Sequence, residues 1–240
     1  MSPILRSLAT LLSPSFLLVT AFACSSGEAG PPTSDVAGTP PWTTDENWFY
    51  ELVNEDGEEL GKAVLSVEIV DGQTRLWQEF ESDDAEDTTI VTVDSATLKP
   101  IASEREIRQP DGDEERIEVE YTEEGALIRQ GDDKQSGLSV PEHSYDNDTS
   151  LFLWRTLPFA DSYEGSYNTI ITNHRTRQKV NLRVTGRETV TVPAGTFEAW
   201  RLEITTSNAR QLAWYADTPQ RQLVRYDNDR DVIFELTDGR

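Results

Sequence analysis

The residues of this chain best equipped for chemistry are its two histidines, its single cysteine and its 44 acidic residues. A hydrolytic triad needs a nucleophile, a base and an orienting acid brought together in space. His143 lies in a polar stretch and His174 in the turn-like run Thr172-Asn173-His174-Arg175; neither sits in a G-x-S-x-G or H-E-x-x-H pattern. Zinc needs three or four Cys or His ligands at close spacing, which one cysteine and two distant histidines do not supply. Calcium takes oxygen ligands, and Asp227-Asn228-Asp229-Arg230-Asp231 has acids at alternate positions of a calcium-type loop. Val232 stands where that loop requires glycine, and Asp238 replaces its bidentate glutamate, so the run reads as a charged hairpin turn. Paired carboxylates could hydrolyse a glycosidic bond, but their signal is a separation in space. The sequence also lacks a glycine-rich phosphate loop. It therefore leads us to expect no catalytic residue, no metal and no cofactor.

Cys24 belongs to another context. Residues 1–24 carry one charge, Arg6, then a short apolar region through Leu11-Leu12 and Phe16-Leu17-Leu18-Val19, then Ala21-Phe22-Ala23-Cys24. A positive start, a short apolar core and an A-x-A-like end describe an export signal and not a membrane span. The cysteine directly after A-F-A resembles a bacterial lipobox, whose cysteine is lipidated; Ala21 departs from the usual leucine of that motif. With no second cysteine, no intramolecular disulfide can form. Residues 25–45 are rich in Gly, Pro and Ser and read as a flexible tether. The expectation is an exported chain, anchored by lipid to the cell envelope at the outer membrane or cell surface, with a folded body held off the bilayer.

The body, residues 46–240, is expected to form one domain. A net charge of −23 argues against nucleic acid, whose phosphates need clustered Lys and Arg, and against an anionic lipid surface. Six Trp, seven Tyr and eight Phe argue for a true core. Strand-length segments with period-2 alternation are separated by turns such as Asn54-Glu55-Asp56-Gly57, Asp71-Gly72 and Pro110-Asp111-Gly112. The clearest hairpin runs from Val190 to Ile204: Pro193 and Gly195 make the turn, then Trp200, Leu202 and Ile204 point one way and Arg201, Glu203 and Thr205 the other. Residues 132–148 read as polar and irregular. One helix is expected over Ser150–Leu157, capped by Asp148, ended by Pro158 and apolar nearly all round, hence packed against the sheet. The fold class is all-β: an antiparallel meander forming a curved sheet or half-barrel around one short helix.

The chain from Val184 onward resembles an exported bacterial family, domain of unknown function 3108. The resemblance rests on Gly186, Glu188, Val192-Pro193-Ala194-Gly195-Thr196-Phe197, Ala213-Trp214-Tyr215-Ala216-Asp217 and Val224-Arg225-Tyr226, with Val93-Asp94-Ser95-Ala96-Thr97-Leu98-Lys99-Pro100 upstream. It implies an all-β half-barrel similar in shape to periplasmic lipoprotein carriers, which hold acyl chains in a concave sheet, and it brings no catalytic residues. The resulting expectation is a non-enzymatic envelope binding or scaffold domain. Trp154, Trp200, Leu202 and Trp214 would face a concavity that takes an apolar small molecule or an envelope protein. A hydrolase using paired carboxylates and a purely structural role are the alternatives.

Overall fold

Alternating apolar and polar residues are carried into fifteen strands of one continuous sheet. The structure, a computed structural model, describes residues 31–82, 85–131 and 135–239. The signal-like stretch, Cys24 and the start of the tether lie outside the described residues. The first eight strands are β1 (Glu46–Val53), β2 (Glu59–Val70), β3 (Gln73–Glu81), β4 (Glu86–Asp94), β5 (Pro100–Arg108), β6 (Glu114–Thr122), β7 (Gly125–Gln130) and β8 (Ser136–Leu138). The rest are β9 (Ser144–Asp146), β10 (Glu164–Ile171), β11 (Thr176–Val192), β12 (Gly195–Thr205), β13 (Arg210–Ala216), β14 (Leu223–Asp227) and β15 (Ile233–Leu236).

Strand β1 sits in the middle of the sheet, between β2 and β15. From β1 to β8 the chain meanders outward to one edge. It then crosses to β9 at the other edge and meanders back from β10 to β15. Every pairing is antiparallel except β9 with β10. The crossing segment, residues 139–143, laces the two edges together. The Arg177 guanidinium on β11 donates to the Ser139 carbonyl at 2.9 Å and to its hydroxyl, and Asn168 on β10 donates to the carbonyls of Glu142 and His143, each at 2.9 Å. The sheet is thus an open barrel. The short strands β8 and β9 lie within the stretch read from sequence as irregular. Three residues are too few to show a period, and all of Ser144-Tyr145-Asp146 is buried.

The hairpin from Val190 to Ile204 forms as expected. Val192 pairs with Gly195, so Pro193 and Ala194 are the central turn residues, and Gly195 has φ +131°, open to a residue without Cβ. Trp200, Leu202 and Ile204 are buried, while Arg201, Glu203 and Thr205 are only partly so. Leu202 lies opposite Val184 and Ala213 at the centre of the core; burying it fully contributes roughly 2–3 kcal/mol.

The expected helix exists but is less regular. A 3₁₀ turn (Asn147–Thr149) leads into α1 (Ser150–Leu153), and a second 3₁₀ turn (Trp154–Thr156) follows. Asp146, not Asp148, is the cap, its carboxylate accepting from the Asp148 N–H at 2.9 Å. Thr156 turns its hydroxyl back onto the Leu153 carbonyl, and Leu157 is extended because the Pro158 ring disfavours helix before it. Leu151, Phe152, Leu153 and Trp154 are all buried, so the segment plugs the barrel.

Residues 31–45, expected from sequence to belong to the tether, are in part docked on the body. Val36 and Trp42 are buried in the main core, Ser34 N–H bonds the Ser166 carbonyl, and Ser166 Oγ bonds the Pro31 carbonyl. Gly38 N–H reaches Thr156 Oγ1 at 2.9 Å, and a Cβ there would stand 2.1 Å from the Thr156 carbonyl oxygen, so this strap docks where only glycine fits. The reason is two large apolar side chains inside a Pro-rich run. An extended segment without internal hydrogen bonds is free to bond a neighbour. One buried guanidinium ties strap, plug and sheet. Arg155 (3 % exposed) pairs with Glu46, donates to the carbonyls of Gln220 and Arg221, and lies 5.2 Å from the Trp42 ring.

Candidate functional site

The barrel's interior opens at one end into a cavity of about 750 Å³, bounded by α1, the β10–β11, β12–β13 and β14–β15 turns, and the ends of β3 and β5. One wall is apolar. Leu151 and Trp154 come from the plug, Ile204, Tyr226 and Phe234 from the returning meander, and Phe80 from β3. Alternation aims these side chains inward. Their rings meet at angles: Phe234 lies 5.4 Å from Tyr226 and 5.8 Å from Phe80, edge to face, and Trp154 lies 6.1 Å from Tyr226. Buried hydroxyls brace the plug beneath. Tyr167 accepts from Trp154 Nε1 at 3.1 Å, and Tyr215 donates to the Leu151 carbonyl at 2.9 Å. Burial pushes the Tyr167 phenol up to about 12, so it stays neutral.

The facing wall is polar. Gln78 donates to the Asp148 carbonyl, and Arg105 holds Asp87 through two nitrogens while lying 4.0 Å from Asp148. Behind them Asp146 is fully buried and accepts from the Tyr121 hydroxyl at 2.5 Å, which links β6 to β9 across the open edge. Desolvation, with the Asp148 charge beside it, lifts the Asp146 carboxyl to about 7; desolvation also raises Asp148, against the pull of Arg105. Of these two carboxyls only Asp148 lines the cavity. Among the described residues no group of three or more His, Cys, Asp or Glu is placed to hold a metal. The Asp227–Asp231 run is a β14–β15 turn whose oxygens bond backbone N–H groups: Asp227 that of Asp229, Asp229 that of Arg210, and Asp231 that of Glu55.

A second cavity, about 840 Å³, lies under the strap between Asp35–Pro41, Phe159 and Asp217. Trp200 lines it, stacked on Phe159 at 6.2 Å, covered by the Arg187 guanidinium and donating to Asp217 at 2.9 Å.

The four residues singled out from sequence are not brought together. Trp154 lines the mouth, Trp200 the strap cavity, and Leu202 is sealed in the core between. Trp214 is on the outer face, donating to Glu188 at 2.5 Å with Arg201 and Arg225 about its ring. Parity explains this. Ala213 and Tyr215 are buried, so the residue between them must point outward. His174 sits on the mouth's rim, in the expected hairpin turn. His143 adopts φ +58° with Nδ1 3.3 Å from Asp35. The sequence reading missed Phe80, Tyr226 and Phe234, whose alternation was readable. It also missed Arg105, Asp146 and Tyr121, whose partners come from other strands and leave no local signal.

One solved structure shares this architecture. A β-barrel-like protein of domain of unknown function DUF1849 from Brucella abortus aligns at 11 % identity over 81 % of this chain and 96 % of its own, with TM-score 0.56. A candidate lipoprotein from Parabacteroides distasonis (14 % identity, 85 % and 98 % covered, TM-score 0.34) overlaps more loosely. So does a candidate exported protein with a YmcC-like fold from Bacteroides fragilis (11 %, 84 % and 97 %, TM-score 0.30). No curated protein matches the chain. The family profile of DUF3108, described as a protein of unknown function, covers residues 49–232, from β1 to the last hairpin turn. On that match, which spans most of the barrel, the chain belongs to the DUF3108 family.

Proposed function

We propose that this chain is a binding domain of the bacterial cell envelope that takes an apolar molecule into the barrel mouth. The observation that carries the reading is the cavity of about 750 Å³ beside the plug, with one aromatic and aliphatic wall and polar groups opposite. Its size falls in the ordinary range for small-molecule sites, roughly 300–1,000 Å³. The signal-like start and Cys24 place the domain at the envelope in this reading, held by an N-terminal lipid. The docked strap keeps the barrel close to that anchor.

The test is a titration of the full chain with a neutral naphthylamine dye that fluoresces in apolar surroundings. Wild type should bind it saturably at one site. Ala209→Trp, on the β12–β13 turn at the mouth, should weaken binding at least tenfold while the thermal midpoint holds. Saturable binding unaffected by Ala209→Trp would move the site elsewhere; no saturable binding would remove the proposal.

A further inference from the structure

Among the described side chains that line this mouth the charge balance of the protein is reversed, with Arg105, Arg177 and Arg230 against Asp148. Acids outnumber Lys and Arg by 44 to 21, and most described arginines sit on a carboxylate, as in Arg75–Glu68, Arg108–Glu86, Arg187–Asp217 and Arg210–Glu203. Among the described residues, only four arginines lack an acid within ion-pair distance: Arg175, Arg177, Arg221 and Arg230. Two of these, Arg177 and Arg230, line the mouth. Arg177 is steadied by the Ser139 carbonyl and hydroxyl, both neutral. Arg230 projects from the β14–β15 turn, whose own acids are engaged: Asp227, Asp229 and Asp231 each accept a backbone N–H. Among the described residues the only acid lining the mouth, Asp148, faces Arg105. Unpaired cations are costly to spare in so acidic a chain. Here two of them stand at the open end of a cavity with one apolar wall.

We infer that the mouth takes a single-chain amphiphile with an anionic head, its tail against Trp154, Tyr226 and Phe234 and its carboxylate or phosphate between Arg177 and Arg230. The inference rests on the reading of the mouth as a binding site and adds the class of ligand. Each methylene moved from water into the apolar wall contributes about 0.8 kcal/mol. The tail therefore supplies affinity and the guanidinium groups supply selectivity for the head, since Arg meets carboxylate and phosphate oxygens with paired N–H donors. Because both arginines are solvent-exposed, the selectivity should fade with salt.

Displacement of the neutral dye from the full chain at low ionic strength tests this with three probes of one tail length: dodecyl phosphate, dodecanol and dodecyltrimethylammonium, each below its aggregation threshold. The expected order is phosphate, then alcohol, then ammonium, with phosphate about tenfold tighter than alcohol, as two exposed charge contacts would give. In an Arg177→Gln/Arg230→Gln double variant, dodecanol should bind as in wild type and the preference for phosphate should vanish. Equal displacement by all three probes would overturn the head subsite and leave the apolar cavity standing. Displacement by inorganic phosphate as strong as by dodecyl phosphate would overturn the amphiphile. If no probe displaces a dye that binds, the tail assignment fails; if the dye itself does not bind, the reading of the mouth fails with it.

Discussion

Strands β10–β15 with the plug, and strands β5–β8 at the far side of the barrel, follow the same alternation and reach different ends. The first region buries Tyr167, Tyr215, Trp154, Leu202 and Phe234 in the main core, with their hydroxyl and indole groups bonded to one another or to backbone. The apolar side chains buried in the second region are Ile117, Val119, Ala126 and Ile128, in a separate small cluster. It covers its outer face with charge: Arg108 lies between Glu86 and Glu114, Arg116 meets Glu104, Glu106 and Glu118, and Arg129 meets Glu118. Exposed pairs of this kind contribute about 0–1 kcal/mol each, well below the burial of one large side chain. The difference teaches that the aromatic wall of the cavity stands on the rigid half, while the edge strands β7 and β8 border the half with little to hold it. Amide exchange should reflect this, with β6–β8 opening below the global unfolding free energy.

Five substitutions sharpen or break that contrast. The largest effect should come from Arg155→Ala, which leaves the partly buried Glu46 without its partner and unties strap, plug and β1 at once. We expect a loss of about 3–5 kcal/mol in urea unfolding; a loss under about 1 kcal/mol would show that the strap is not part of the fold's stability. Next come paired core truncations. Leu202→Ala in the main core should cost about 4 kcal/mol and Ile128→Ala in the small cluster about 2 kcal/mol, because the thin far side relaxes around the gap. Equal losses would remove the asymmetry.

The fourth concerns pH. The Asp146 carboxyl, held up to about 7 by burial, keeps its proton in the fold where the unfolded chain has lost it. Its contribution to stability is therefore present at low pH and is lost as pH rises from about 4 to about 7. Asp146→Asn retains an oxygen for the Asp148 N–H and removes the titration. The stability of the variant relative to wild type should rise across that interval, and a constant difference would mean that Asp146 does not titrate there. The smallest effect should be that of Arg116→Ala, within about 1 kcal/mol despite its three acidic neighbours.

Most of the fold was legible because the barrel is a run of hairpins, and hairpins announce themselves locally. Trp200, Leu202 and Ile204 alternate, Pro193 and Gly195 mark a turn, and the apolar run around Leu151–Trp154 had to be covered. What was illegible depends on partners far apart in the chain. Nothing near Asp146 says that Tyr121 will bond it from β6, and nothing near Val36 says that the strap will dock on β10. The site was half legible for the same reason. Trp154 could be chosen as a large side chain on the plug, but the three rings that enclose the cavity with it come from three different strands. Trp214 shows the opposite error, in which residue type outweighed a parity that the sequence did contain.

Native mass spectrometry of the full-length protein purified from cells, beside its Ala209→Trp variant, tests the binding reading most directly. We expect a stoichiometric adduct of lipid-like mass on wild type that is lost from the variant. Bare protein in both, unchanged after incubation with dodecyl phosphate, would contradict it.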